Sequence, residues 1–390
     1  MSRSLRARAE RFGAMVQLDS PPALLAVDRA MARRLGVKGG ELWTRPSPGL
    51  DVDPLEGPTE VHLAVTARCP ASCKGCYADA KREGEHPTFA ELRARIDAIA
   101  DLGAFSVAFG GGEALLRLDL AELAAHARRR GLVPTMTTSG IGLTPSRALE
   151  LRGFAQVNVS YDGPGEVYAD VRGFDGAPVA ERAMVALRDA EVPFGVNVVL
   201  TRRSYPTLEA TCARAIELGA REVQLLRFKP AGRGRLDYLA QRLDEEQAAG
   251  FGRRLRALSS TLPIGFRIDC ALVPFLADGS LAPTELVRFG VMGCEAGRSL
   301  LAVKADGASG PCSFWERGGE PASSAWSRDP TLVRFREHRA APGEPCASCA
   351  YRPACRGGCR IVSAHLLDDP YAPDPECPRV RAHAAEARDA

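Results

Sequence analysis

The chain has 390 residues, with 51 Lys+Arg against 48 Asp+Glu, 45% hydrophobic and 25% charged residues, and 12 cysteines. At this length about three quarters of the unfolded surface can be buried, and the composition excludes wholesale disorder, a collagen-like repeat and a small disulfide-stapled fold. The net charge of +3 is too small to argue for nucleic acid, and the excess of arginine over lysine, 46 to 5, comes without a block of like charge.

At the N-terminus, Met1–Phe12 is arginine-rich and lacks the apolar core of a secretory signal, and no stretch approaches the roughly 18 apolar residues of a membrane helix. A cytoplasmic protein without a membrane or nucleic acid partner is expected. In a reducing compartment its cysteines are read as metal or redox chemistry before disulfides. Two short strands are expected around Ala14–Leu18 and Ala23–Val27, then a short helix through Met31–Leu35. A loop rich in Pro, Gly and Asp, Pro46–Pro58, separates this appendage from the main body.

From Glu60 onward strands alternate with helices. Strands are expected at Val61–Val65, Ser106–Phe109, Pro134–Thr138, Val157–Tyr161, Phe194–Leu200 and Glu222–Arg227, with helical spacing at Phe89–Leu102, Leu118–Arg130, Pro178–Ala190 and Leu208–Leu218. Short apolar strands in β–α steps argue for a parallel sheet with helices outside it. Six such units fall short of the eight of a closed barrel, so the fold class is α/β, a partial (β/α)6 TIM-like barrel with ligands at the C-terminal strand ends. A helix about Glu245–Ser260 and a strand Gly265–Asp269 follow. The periodicity is then lost in loops crowded with Cys, Pro and Gly from Cys294 to Cys377, as expected where metal centres replace an apolar core.

Directly after the first barrel strand stands Cys69-Pro-Ala-Ser-Cys73-Lys-Gly-Cys76. Three thiolates at this spacing can bind three irons of a four-iron cubane and leave the fourth iron open. The alternative, a structural zinc site, wants four closed ligands, and the triplet has no adjacent fourth. The second strand ends in Gly110-Gly111-Gly112-Glu113, where glycines permit close backbone approach and the carboxylate can pair with an ammonium.

In this order the motifs resemble those of the radical S-adenosylmethionine (SAM) superfamily. The resemblance implies that Cys69, Cys73 and Cys76 hold a 4Fe-4S cluster whose open iron binds SAM, and that Gly111, Gly112 and Glu113 receive the methionine ammonium. Later strand ends resemble the family as well: Thr137-Thr138-Ser139-Gly140, Val159-Ser160-Tyr161-Asp162-Gly163, Asn197, and Leu226 before Arg227-Phe228-Lys229-Pro230. Ser139, Ser160, Asn197 and Leu226 are therefore candidate SAM contacts, and Arg172 is a candidate partner of its carboxylate. Gly75 stands where many relatives carry an aromatic beside the adenine, which makes Tyr77 the candidate replacement.

The C-terminal pattern Cys294-x12-Gly307-x4-Cys312, Cys346-x2-Cys349-x5-Cys355-x3-Cys359 and, seventeen residues on, Cys377 resembles the SPASM domain. The match implies two auxiliary 4Fe-4S clusters, one on Cys294, Cys312 and Cys359, the other on Cys346, Cys349, Cys355 and Cys377. A zinc ribbon on Cys346, Cys349, Cys355 and Cys359 is the alternative. Seven ligands leave the first auxiliary cluster one short, so either Cys270 is the eighth or that cluster keeps an open iron. Cys212, one helical turn from Leu208 and Ile216, reads as a buried apolar residue.

The expected units are an appendage at 1–57, a radical SAM partial barrel at 58–280 and a SPASM domain at 281–390. Relatives with this pair of domains are mostly maturases, which implies hydrogen abstraction from a precursor peptide and an electron donor such as flavodoxin or ferredoxin. Fewer than sixty residues before the barrel are too few for a winged-helix leader-binding domain, so leader recognition is expected from a separate small protein or from the appendage. The alternatives are a small-molecule or tetrapyrrole enzyme and a non-catalytic iron–sulfur electron carrier. Asp162, Tyr161, Asp269 and Tyr238 are candidates to face the cavity, but the sequence singles out no acid, base or radical relay.

Overall fold

The structure, a computed structural model, describes residues 6–19, 22–47, 55–288, 290–340 and 342–389. The first five residues of the arginine-rich start and 48–54 of the expected linker lie outside the described residues.

The appendage is a three-stranded antiparallel sheet, β1 (Arg6–Glu10), β2 (Gly13–Asp19) and β3 (Pro22–Asp28), followed by helix α1 (Arg29–Arg34). Strands β2 and β3 fall where expected, whereas β1 was not expected. Its alternation of arginine and alanine hides it, because the charged positions face other chain segments rather than water. Arg8 Nη1 donates to the carbonyls of Pro58 (2.7 Å) and Gly103 (2.9 Å), and Nη2 to Gly57 (2.7 Å), while Arg6 donates to Gly131 and Ala104. Both guanidiniums also lie over the Phe105 ring, at 5.2 and 5.3 Å. The appendage thus hangs by β1 on the loops that enter the barrel strands, and β3 is left as the far edge.

The main sheet runs β10-β9-β8-β7-β6-β5-β4-β11-β12. Strands β4 (Glu60–Thr66), β5 (Ser106–Gly111), β6 (Val133–Thr138), β7 (Gln156–Ser160), β8 (Phe194–Leu200) and β9 (Glu222–Arg227) are the six expected units, and β10 (Gly265–Ile268) adds a seventh parallel strand. Helices α2 (Phe89–Asp101), α3 (Leu120–Arg129), α4 (Pro145–Glu150), α5 (Glu166–Arg172), α6 (Ala177–Asp189) and α7 (Leu208–Glu217) alternate with them. Period-two burial on β4 puts Val61, Leu63 and Val65 in one core with Leu92, Ile96 and Ile99 of α2. Each such side chain contributes about 1.5–3 kcal/mol on burial. Thr88 and Glu91 close a capping box on α2, with Glu91 N donating to Thr88 Oγ1 at 3.2 Å and Thr88 N to the Glu91 carboxylate at 2.7 Å.

After α8 (Tyr238–Gln241) and α9 (Glu245–Thr261), the cysteine-rich region is less detached than its lost periodicity suggests. Its strand β11 (Leu300–Val303) pairs in parallel with β4, and β12 (Ser309–Gly310) folds back on β11. A four-residue apolar run is too short to announce a strand by itself, but pairing to β4 completes it. Among the described residues no helix is long and apolar enough to cross a membrane.

Candidate active site

Residues 67–88 leave the C-terminal end of β4 and carry the first three cysteines. The loop is held from three sides: Cys69 N donates to Lys81 O (2.7 Å), Lys74 N to Arg172 O (3.0 Å), and Arg233 Nε to Cys73 O (2.9 Å). Ser72 takes a positive φ of 50° within it. Cys69, Cys73 and Cys76 are close enough to act on one another electrostatically, and burial pushes the thiols of Cys69 and Cys73 up. Arg172 hydrogen-bonds Cys73 and favours its thiolate.

The glycine run beside this loop packs against it rather than leaving space. A Cβ at Gly112 would sit 2.1 Å from Arg68 O, and one at Gly111, where φ is +104°, would sit 2.4 Å from Thr66 O. Gly112 N donates to Thr66 O at 2.7 Å and Glu113 N to Arg68 O at 2.9 Å. Gly110 alone in the run faces open space. Glu113 is 1% exposed, and its carboxylate accepts from Leu115 N (3.0 Å), Thr138 Oγ1 (2.6 Å), Ser139 N (2.8 Å) and Ser139 Oγ (2.5 Å). Four donors fill the acceptor sites of a carboxylate, so Glu113 joins the ends of β5 and β6, and Ser139 is brought to it.

Arg172 is engaged too. Its Nε donates to Asp162 Oδ2 at 2.5 Å, and Asp162 Oδ1 accepts from Val199 N at 2.7 Å. Burial works to lower the guanidinium pKa, but Asp162, Tyr168 and Cys73 outweigh it and hold the charge. Arg172 thereby couples the cysteine loop to the β7 and β8 strand ends. Asn197 differs: it is 7% exposed and its Oδ1 is buried without a hydrogen-bond partner. An orphaned buried acceptor is costly, and here it stands on β8 one strand from Ser160, with which it is in register. Ser160 and Leu226 are half-buried. This unmet acceptor fits a polar ligand such as SAM.

Tyr77 is 37% exposed, with its ring 4.7 Å from that of Phe314. The missing aromatic at Gly75 has a physical cause, since a Cβ there would lie 2.6 Å from Phe228 Cε2. The Phe228 ring fills that space and stacks on Tyr238 at 6.1 Å.

All twelve cysteines are described and none is in a disulfide. Cys294 and Cys359 act electrostatically on both Cys270 and Cys312, and Cys294 and Cys359 share a buried cluster with Phe228 and Ala271, against which Cys312 packs. Burial pushes Cys312 up to about 12 and Cys359 to about 11. Cys346, Cys349, Cys355 and Cys377 line one cavity together with Tyr351, Asp374 and Arg379. The groups interlock, because Gly293, next to Cys294, packs so tightly on Cys355 that a Cβ would lie 1.7 Å from its carbonyl oxygen. Among the described residues no three His, Cys, Asp or Glu side chains converge on a point that would chelate a single ion. Cysteine thiolates are ligands of iron–sulfur clusters, in which each iron takes its own ligand, and protons must leave such buried thiols when metal binds. Cys212, on α7, is fully buried in the barrel core.

The four candidate cavity residues are all partnered: Tyr161 Oη donates to Glu181 (2.7 Å), Asp162 holds Arg172, Asp269 accepts from Lys229 and Arg227 N, and Tyr238 Oη donates to Glu376 (2.8 Å). What the sequence did not reveal is His62. It stands with Glu60 on the face of β4 opposite the helix-packed Val61 and Leu63, with Nδ1 2.7 Å from Ser313 Oγ and Nε2 3.1 Å from Glu60 Oε1. Strand alternation alone would have put Glu60 and His62 on one face, but Ser313, 251 residues away, has no local signal.

A family model described as the radical SAM superfamily matches residues 63–214. The chain is 32% identical over 362 residues to a PqqA peptide cyclase of Ruegeria pomeroyi, covering 87% of this chain and 92% of that one. It is 29% identical over 339 residues to an AdoMet-dependent heme synthase of Nitratidesulfovibrio vulgaris, covering 80% and 90%. Among solved structures, Streptococcus suis SuiB bound to S-adenosylmethionine aligns over 97% of this chain and 99% of that one with a TM-score of 0.74 at 16% identity. Native anSMEcpe with bound AdoMet and the Cp18Cys peptide aligns over 85% and 97% with a TM-score of 0.66 at 19% identity.

Proposed function

The chain belongs to the radical SAM superfamily, and from that membership we propose that it is a maturase that takes hydrogen from a ribosomally made precursor peptide to install a cross-link, epimerised centre, oxidation or excision. The family implies SAM and one four-iron cluster; together these supply a 5′-deoxyadenosyl radical strong enough to break an unactivated C–H bond. The protein's own contribution is to position and to exclude water.

The observation that carries the reading is the separation of eleven of the twelve cysteines into three groups. Cys69, Cys73 and Cys76 would hold the SAM-binding cluster. The Gly110–Gly112 backbone, Asn197, Ser160, Leu226 and Tyr77 would line the SAM, with Glu113, Ser139 and Arg172 fixing the strand ends around it. Cys270 with Cys294, Cys312 and Cys359 would hold one auxiliary cluster, and Cys346, Cys349, Cys355 and Cys377 the other. The units 1–57, 58–280 and 281–390 serve as leader-facing appendage, barrel and auxiliary-cluster region, although β11 and β12 extend the barrel sheet.

A peptide substrate is supported by the PqqA peptide cyclase relatives and by neighbours solved with peptides bound. The open edge of β3, with Leu24 and Leu25 38% and 43% exposed, suits main-chain pairing with an extended leader. A separate leader-binding protein is the alternative to the appendage for leader recognition, and a flavodoxin or ferredoxin donor completes the proposed system in the cytoplasm. Anaerobic reconstitution followed by dithionite and SAM tests the reading: release of 5′-deoxyadenosine is expected, and co-expression with a short peptide gene neighbouring this one should change that peptide's mass. An unchanged peptide would oppose the maturase reading, whereas absence of 5′-deoxyadenosine would oppose radical chemistry and leave an electron carrier.

The heme synthase relative favours a second reading, action on a tetrapyrrole. Consumption of a porphyrin precursor with SAM, and of no peptide, would select it.

A further inference from the structure

Lys229 lies two residues beyond the end of β9 and is 6% exposed. Its ammonium contacts Asp269 Oδ2 and sits 4.1 Å from the centre of the Phe314 ring. Asp269 immediately precedes Cys270, and Phe314 is two residues past Cys312. The charge acts on the thiols of Cys270, Cys312 and Cys359 from this position. Asp269 shares its own charge with two backbone donors, Arg227 N at 3.0 Å and Ala271 N at 3.3 Å, so the pair is oriented: the carboxylate is held by backbone and the ammonium is left over the aromatic ring and the thiols. A buried cation in a low-dielectric site is costly unless it is paired, and a single well-held carboxylate pairs it here without surrounding it.

We infer that Lys229 sets the reduction potential of the auxiliary cluster assigned to Cys270, Cys294, Cys312 and Cys359, with Asp269 fixing its place. This rests on the auxiliary-cluster reading above. One-electron reduction adds a negative charge to a site, and a nearby fixed cation stabilises that reduced form and raises its potential; net charge and burial are recognised controls of iron–sulfur potentials.

The test is an EPR-monitored redox titration of the reconstituted holoenzyme, with iron and sulfide counted in every sample. In Lys229→Met one midpoint should move to a more negative potential while the other clusters keep theirs, and Lys229→Arg, which keeps the charge, should restore most of the wild-type value. Lys229→Gln, which also removes the charge but keeps a polar side chain, should move the same midpoint in the same direction, which decides the matter if the methionine variant fails to hold iron. Unchanged midpoints in Lys229→Met at full iron content, or equal shifts in Lys229→Met and Lys229→Arg, would overturn the inference. A wild-type iron count sufficient for only one cluster would instead overturn the auxiliary-cluster reading beneath it.

Discussion

Arg227 Nη1 donates to Asp374 Oδ2 at 2.6 Å across 147 residues of sequence, and its Nη2 reaches Glu376 Oε2 at 2.7 Å. Both carboxylates stand just before the last cysteine, Cys377, and Asp374 Oδ2 also accepts from Cys359 N at 2.9 Å. One barrel-strand arginine therefore anchors both C-terminal cysteine groups. Arg227→Ala would take the cation from buried Asp374 and leave Glu376 with Arg242 alone, a loss of about 3–5 kcal/mol. Anaerobic denaturant unfolding should show that loss, with iron leaving the auxiliary groups before the SAM-site group.

Gly112 and Gly110 make a contrasting pair. The Cβ of Gly112→Ala would meet Arg68 O at 2.1 Å, a backbone atom that cannot swing away, whereas Gly110→Ala meets nothing within 4 Å. The first should cost about 1–3 kcal/mol and reduce SAM binding. The second should fold like wild type, as calorimetric titration with SAM and thermal unfolding would show.

Cys270→Ala separates the two forms of the proposed first auxiliary cluster. If Cys270 is its eighth ligand, iron content should fall and the spectrum of one cluster should change. Unchanged iron and spectrum would remove Cys270 from the ligands and leave that cluster with an open iron.

Arg8→Ala removes three hydrogen bonds, to the carbonyls of Gly57, Pro58 and Gly103, each worth about 1 kcal/mol. The appendage should then exchange amide hydrogens and be cleaved by protease sooner than in wild type. Barrel protection should hold, because the Val61, Leu63 and Ile96 core does not involve β1.

Glu181 supplies a pH dependence. The Arg214 hydrogen bond, first, and the Tyr161 hydroxyl hold its pKa below the ordinary 4.5 against the opposing effect of burial. A depressed carboxylate contributes stability above its unfolded pKa and loses it as pH falls through the folded one. Because Arg214 is 41% exposed on its side chain, the contribution is modest, about 0.5–1 kcal/mol. Unfolding of wild type and Glu181→Gln should differ by that amount at pH 7 and converge as pH drops well below 4.5.

The sequence alone determined the β–α alternation and the local cysteine spacings, since apolar periodicity and short ligand separations are set by neighbours along the chain. It also determined that Cys212, inside a helical apolar stripe, belongs to the core. Tertiary structure decided the rest. It engaged Glu113 and Arg172 with protein partners, filled the space beside Gly75 with Phe228, brought Ser313 to His62, and turned the Arg6 and Arg8 of an unpromising start into a latch on the barrel. Cys270 shows the division most clearly. No nearby cysteine gives it a motif, and only the packing of β10 against β9 and of the C-terminal loops over that edge places it beside Cys294 and Cys359. Contacts between residues far apart in sequence leave no periodic trace, because they are fixed by burial and charge pairing once the sheet has formed.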